Sequence, residues 1–207
     1  MNSKELKEAL LETAKESYKL GLVAGTSGNV SVYDDERDAM IITPSSIPYE
    51  TMTLEDLVVL KLDGTIVEGH NQPSSEWRMH AQIFKERQDI KCVLHTHSPY
   101  ATGFAVCRES IPVILIEMVP FIGGDVPVAK FGMPGTDSVG IEALKVLKDR
   151  KACLLSNHGT LAIGETIDKA FISSIYLEDA AKIYHIAKNA GDVKVLSEKE
   201  IDAMRNS

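Results

Sequence analysis

The chain has 207 residues, 44% hydrophobic and 25% charged, a balance ordinary for a soluble protein and a length that suits one domain over 1–207 and is short for two. Its formal net charge of −8, from 22 basic and 30 acidic residues without a basic stripe, argues against general nucleic-acid binding. No apolar run reaches the roughly 18 residues of a membrane span, and the charged start from Met1 to Glu8 lacks the apolar core of a signal peptide.

Leu6, Leu10, Ala14 and Tyr18 recur at helical spacing and predict a helix over 3–20, with Gly21 as its stop. After the polar loop Gly25 to Asn29, Val30 to Tyr33 alternates as a strand and Met40 to Ile42 starts another. Asp63-Gly64 between 57–62 and 65–67 is a hairpin signal. A helix is expected over 74–86 with Ser74 or Ser75 near its cap, then a strand over 90–95 and a helix from Pro99 to Cys107. A short strand is expected over 126–129, a helix over 137–150, strands at 152–155 and 161–163, and a long amphipathic helix over 167–189. Ser197 and Glu200 have the spacing of a capping box. Together these predict an α/β domain with a mostly antiparallel central sheet flanked by helices. Cys92, Cys107 and Cys153 lack CxxC spacing and read as buried free thiols of a reducing compartment, so a cytoplasmic location is expected.

Val93-Leu94-His95-Thr96-His97 and Leu155-Ser156-Asn157-His158-Gly159 carry the chemistry. Strand side chains alternate faces, so His95 and His97 point the same way. His158 also follows a short apolar run. Three imidazoles leave a tetrahedral zinc an open position for catalysis. His70, His80 and His185 are set aside as non-ligands, although His80 lies four residues after Glu76 on the expected helix.

Three clusters of small hydroxyl residues accompany the histidines: Thr26 to Asn29, Thr43 to Ser46, and Ser74-Ser75. Glycine lets backbone amides approach a ligand, and a helix N-terminus favours phosphate. Each cluster alone is also an ordinary turn or cap; their coincidence with the histidines points to a phosphate pocket. By spacing, Glu76 is open to three roles: a fourth ligand, a general base, or a first-turn glutamate favoured by the helix dipole.

Gly25-Thr26-Ser27-Gly28-Asn29-Val30-Ser31, Thr43-Pro44-Ser45-Ser46-Ile47-Pro48-Tyr49-Glu50, Ser74-Ser75-Glu76-Trp77-Arg78-Met79-His80, His95-Thr96-His97 and Asn157-His158-Gly159 occur in the order and spacing of the class II aldolase/adducin family. The chain resembles that family from about residue 5 to about 201, and within it the fuculose-1-phosphate aldolase branch. The resemblance implies the family's three-layer fold and a zinc ion per subunit, or another divalent ion, held by His95, His97 and His158. Glu76 is implied as fourth ligand and catalytic base. A phosphate pocket is implied from Gly28, Asn29, Ser45, Ser46, Ser74 and Ser75, with Thr26 nearby. Also implied are a phosphorylated sugar substrate and a homotetramer with sites at subunit interfaces. The implied activity is reversible cleavage of a ketose 1-phosphate to dihydroxyacetone phosphate and an aldehyde, through an enediolate stabilised by the metal.

Three departures stand out. The aldolases carry a tyrosine after the HxH segment where this chain has Ile116 followed by Glu117; they carry a C-terminal tyrosine that this sequence does not reach; and they have glycine in place of Ser46. Glu117 is therefore either a replacement acid at the aldehyde end or an exposed or interface carboxylate. The same departures keep open a dehydratase of the 5-methylthioribulose-1-phosphate type, an epimerase or a decarboxylase. A non-catalytic adducin-like binding module is the reading from a different class, and the presence of all four candidate ligands weighs against it.

Overall fold

The computed structural model describes residues 1–206. Helix α1 (Ser3–Lys19) is followed by strands β1 (Asn29–Asp34), β2 (Ala39–Ile42), β3 (Val58–Leu60) and β4 (Ile66–Glu68). Next come α2 (Trp77–Glu86), β5 (Cys92–Thr96), α3 (Pro99–Cys107), α4 (Met118–Ile122) and β6 (Val128–Ala129). Helix α5 (Asp137–Leu147), strands β7 (Ala152–Leu155) and β8 (Gly159–Gly164), and helices α6 (Ile167–Ala190) and α7 (Glu198–Arg205) complete the chain.

The strands form one eight-stranded sheet in the order β4-β3-β2-β1-β5-β8-β7-β6. Every pairing is antiparallel except β6 with β7. Alternation along the strands divides the core. Val30, Val32, Ile41, Cys92 and Leu94 pack with residues of α1, α3, α4 and α6. Met40, Ile42, Val93, Leu161 and Ile163 pack with α2 and α5 on the other face. The result is three layers, helices over both faces of an open mixed sheet, as expected. Burying each large aliphatic side chain in such a core contributes about 1.5–3 kcal/mol.

Several expectations are corrected. Helix α2 starts at Trp77 rather than Ser74, with Glu76 at its N-cap and Ser74 just before it, the Ser74 hydroxyl accepting from the Glu76 N–H at 3.3 Å. The strand expected over 126–129 shrinks to two residues, Val126 pairing instead with Ile111 in an isolated bridge. Helix α5 stops at Leu147 because Lys148 turns to φ 45°. Helix α4 and a 3-10 turn at Leu54–Asp56 are additional. Cys92 and Cys153 are buried free thiols, but Cys107, at the exposed end of α3, is not buried.

The register sets up the site. Asn29 lies opposite His95 and Ser31 opposite Val93, so Asn29, Ser31, Val93 and His95 share the face under α2. The C-terminal ends of β2, β5 and β7 meet the N-terminal ends of β1 and β8 at one end of the sheet, and there the three hydroxyl clusters and the histidines converge.

Candidate metal and phosphate site

His95, one residue before the end of β5, is fully buried, and His97 lies just past that strand. His158 sits in the tight turn between β7 and β8. Two features fix that turn. Asn157 takes the left-handed conformation at φ 55°, its backbone N–H donating to Ala105 O at 3.2 Å and its Oδ1 accepting from Arg108 at 3.2 and 3.3 Å. Gly159 lies against β5 so closely that a Cβ would collide with Thr96 O and lie 2.9 Å from His97 Cδ2. The ring centroids of His95 are 4.8 Å from His97 and 4.7 Å from His158, and one nitrogen from each of the three rings lies within 4.8 Å of the others.

The donor set fits a cation. His95 Nδ1 is 2.8 Å from Thr160 O, and a carbonyl can only accept, so the proton sits on Nδ1 and Nε2 carries a lone pair. That lone pair is 3.0 Å from His97 Nε2 and 2.9 Å from Glu76 Oε2. Glu76 Oε1 lies 3.4 Å from His158 Nε2, yet is buried without a hydrogen-bond partner. Acceptors that converge in a buried place, one of them unsatisfied, call for a positive ion between them. Burial pushes the Glu76 carboxyl up, but the His158 and His95 imidazoles outweigh it and hold the group well below the usual carboxylate range. Burial, then His95 and His158, push the His97 imidazole down to about 4. An ionised Glu76 carboxylate and a His97 ring kept neutral suit a divalent metal, which binds deprotonated donors.

The three hydroxyl clusters close a cleft of about 320 Å³ next to these groups. Thr26, Ser27, Gly28 and Asn29 line one wall, Ser45 and Ser46 a second, Ser74 and Ser75 a third, with Glu76, His97 and His158 at the metal side. Backbone bonds join walls distant in sequence: Ser45 N–H to Gln72 O at 2.9 Å, Ser74 N–H to Thr43 O at 3.1 Å and Thr43 N–H to Val30 O at 3.1 Å. Buried Tyr49 donates its hydroxyl to Gly28 O at 2.8 Å and holds the first loop. Gly28 has φ 74°, and a Cβ there would lie 2.7 Å from His95 O. Ser46 takes φ 63°, a conformation glycine adopts without strain. Among the described residues, no lysine or arginine lines the cleft. Two larger clefts, of about 520 and 610 Å³, lie elsewhere and contain none of the three histidines.

All the expected ligands and hydroxyl residues thus gather in one place. Glu117 does not join them: it is the half-buried N-cap of α4, outside the cleft, beside Ile116, which is 61% exposed. Sequence reading passed over Tyr49, and it set His80 aside as a non-ligand without giving it a place in the network. His80 is fully buried between Asn29 and Ser31, and its position one turn after Glu76 was the available signal. His70 and His185 are exposed and away from the site.

The family model described as "Class II Aldolase and Adducin N-terminal domain" matches residues 8–185. A 5-deoxy-D-ribulose 1-phosphate aldolase of Bacillus thuringiensis serovar kurstaki is 36% identical over 95% of this chain and 92% of its own length. An L-fuculose phosphate aldolase of Escherichia coli is 36% identical over 97% of this chain and 93% of its own length. A solved structure of an L-fuculose 1-phosphate aldolase superposes with a TM-score of 0.93 at 39% identity, covering 100% of this chain and 97% of that one. The fold, the gathered histidines and these likenesses together show that the chain belongs to the class II aldolase/adducin family.

Proposed function

We propose that this chain is a metal-dependent aldolase that reversibly cleaves a fuculose-1-phosphate-like ketose 1-phosphate to dihydroxyacetone phosphate and an aldehyde. The observation that carries the reading is the convergence of His95, His97, His158 and Glu76 beside a cleft lined by hydroxyls, with Glu76, His97 and His158 on its wall. Zinc, one ion per subunit, suits three imidazoles and a carboxylate, and other divalent ions suit the same donors. When bound, such an ion supplies Lewis-acid stabilisation of negative charge on substrate oxygens.

The side chains divide the remaining work. Asn29, Ser45, Ser74 and Ser75 bind the phosphate through N–H and O–H donors, with Thr26, Gly28 and Ser46 completing the seat. In the cleavage direction the C4 hydroxyl loses its proton and becomes the aldehyde carbonyl as the C3–C4 bond breaks. The electron pair stays on C3, and Glu76 delivers a proton there; in the reverse direction the Glu76 carboxylate removes that proton. Glu117 is assigned the proton at the aldehyde oxygen. Because it lies outside the cleft of its own chain, that role is exercised in the cleft of a neighbouring copy, within a homotetramer with sites at subunit interfaces. The protein works as one domain in the cytoplasm. The relatives' substrates, a 5-deoxyribulose phosphate and a fuculose phosphate, both end in a methyl group, so a terminally deoxygenated ketose phosphate is the preferred substrate class.

Mass-spectrometric product analysis of the zinc-loaded protein tests this. The panel holds L-fuculose 1-phosphate, L-rhamnulose 1-phosphate, 5-deoxyribulose 1-phosphate, L-ribulose 5-phosphate and 5-methylthioribulose 1-phosphate. Dihydroxyacetone phosphate is expected. A product lighter by one water, or an isomer of equal mass, would replace the aldolase with the dehydratase or epimerase reading, which the change to Ile116 and Glu117 favours.

A further inference from the structure

His80 is the one buried imidazole that binds neither the candidate metal nor the substrate in the proposed mechanism. It has no exposed surface, and it is held from two sides by β1. Its Nε2 is 2.5 Å from Asn29 Oδ1 and its Nδ1 is 2.6 Å from Ser31 Oγ. Asn29 and Ser31 are two apart on one strand face, and His80 meets both from α2. A carboxamide oxygen only accepts, so the ring proton belongs on Nε2. Nδ1 is then an acceptor, and the Ser31 hydroxyl donates to it.

This arrangement decides which way the Asn29 carboxamide faces. Its oxygen is turned inward and occupied by His80. Its NH2 makes no hydrogen bond among the described residues, and Asn29 lines the cleft. A carboxamide free to turn would offer either its oxygen or its nitrogen to a ligand; only the nitrogen attracts an anion. In a cleft without lysine or arginine among the described residues, that polarity matters.

We infer that His80 is a positioning residue, which as the Nε2–H tautomer locks the Asn29 carboxamide with its NH2 toward the cleft and makes it a dedicated donor to the substrate phosphate. The inference rests on the phosphate seat proposed above. It assigns Ser31 as the residue that fixes the tautomer. Burial, then His95, push the His80 imidazole down to about 3, in keeping with a neutral ring.

Two measurements test it. Nitrogen NMR of the zinc-loaded wild type reads the tautomer directly, and the proton is expected on Nε2; a proton on Nδ1 would overturn the inference. Binding of inorganic phosphate is then compared in wild type, His80→Leu, His80→Gln and Ser31→Ala, with zinc content monitored. Loss of an anion-binding donor predicts roughly tenfold weaker phosphate binding for His80→Leu. The same variant should raise KM with a smaller change in kcat and retain its zinc. Glutamine places an N–H near the position of Nε2 and should restore most of the affinity. Ser31→Ala, the smaller change in volume, should weaken phosphate by a smaller factor and carries the test if His80→Leu does not fold. Phosphate binding by wild type with unchanged affinity in Ser31→Ala and in whichever His80 variants fold would refute the His80 role alone. Failure of wild type to bind phosphate would refute the seat itself, and the role of His80 with it.

Discussion

Glu76 combines two properties that rarely coexist, 8% exposure and a carboxylate oxygen without a hydrogen-bond partner. A buried unpaired charge is costly, so the residue is retained for what it does beside the imidazoles. Glu76→Gln preserves the shape and removes the base. Its affinity for inorganic phosphate should stay within about twofold, while turnover falls roughly a hundredfold or more; a calorimetric titration beside a steady-state assay would show the split, and an unchanged rate would remove Glu76 from the mechanism. The sequence identified this residue and the three histidines through their spacing in motifs. It left the role of Glu76 open, because spacing does not report the 2.9 Å approach to His95.

At the scale of elements, the β7–β8 turn is the least tolerant joint in the site. Gly159→Ala would drive a Cβ into Thr96 O and the His97 ring. Backbone cannot move aside there without parting β5 from β8, so the substitution should destabilise the fold by about 1–3 kcal/mol and lower zinc affinity as well; a melt with a zinc titration reads both. On the far end of the same hairpin, Glu165 accepts from Lys151 at 3.0 and 3.2 Å, which, ahead of burial acting the other way, lowers its carboxyl from 4.5 to about 2. A depressed carboxylate contributes stability above its unfolded value and loses it as pH falls through the folded one. Glu165→Gln should therefore be less stable than wild type at pH 7, with the gap closing between about 4.5 and about 2. The pair is partly exposed and screened by water, so the gap at neutral pH should be below about 1 kcal/mol. Equal melting temperatures at pH 7 would show that the pair contributes nothing.

For the whole molecule, a ligand that binds only the folded state stabilises it by mass action. Zinc at about a hundred times its dissociation constant should add about 2.7 kcal/mol to the wild type and nothing comparable to His95→Ala or His158→Ala. Melting temperature against zinc concentration measures this, and activity should disappear with the bound metal in both variants. Full activity in a metal-free variant would remove the site assignment. The architecture that makes these distant residues one site is a sheet buried on both faces, in which β1 and β5 are neighbours although more than half a hundred residues of chain separate them.

Hydrophobic periodicity and turn residues by themselves determined the major helices, most strands and the α/β class, because those depend on local alternation of apolar and polar side chains. Motif spacing and family resemblance named the candidate ligands and the hydroxyl clusters. Helix α4 was not legible, since five residues ended by Gly123 at φ 94° are too few for a period to show. Exposure of Cys107 was not legible either, because an apolar neighbourhood in sequence does not say which side of a helix meets the core. Only the tertiary structure decided that Asn29 lies across from His95, that His80 turns inward between Asn29 and Ser31, and that Glu117 stays outside its own cleft. Those facts follow from strand register and from the packing of α2 on the sheet, and both are set by contacts between residues far apart in the chain.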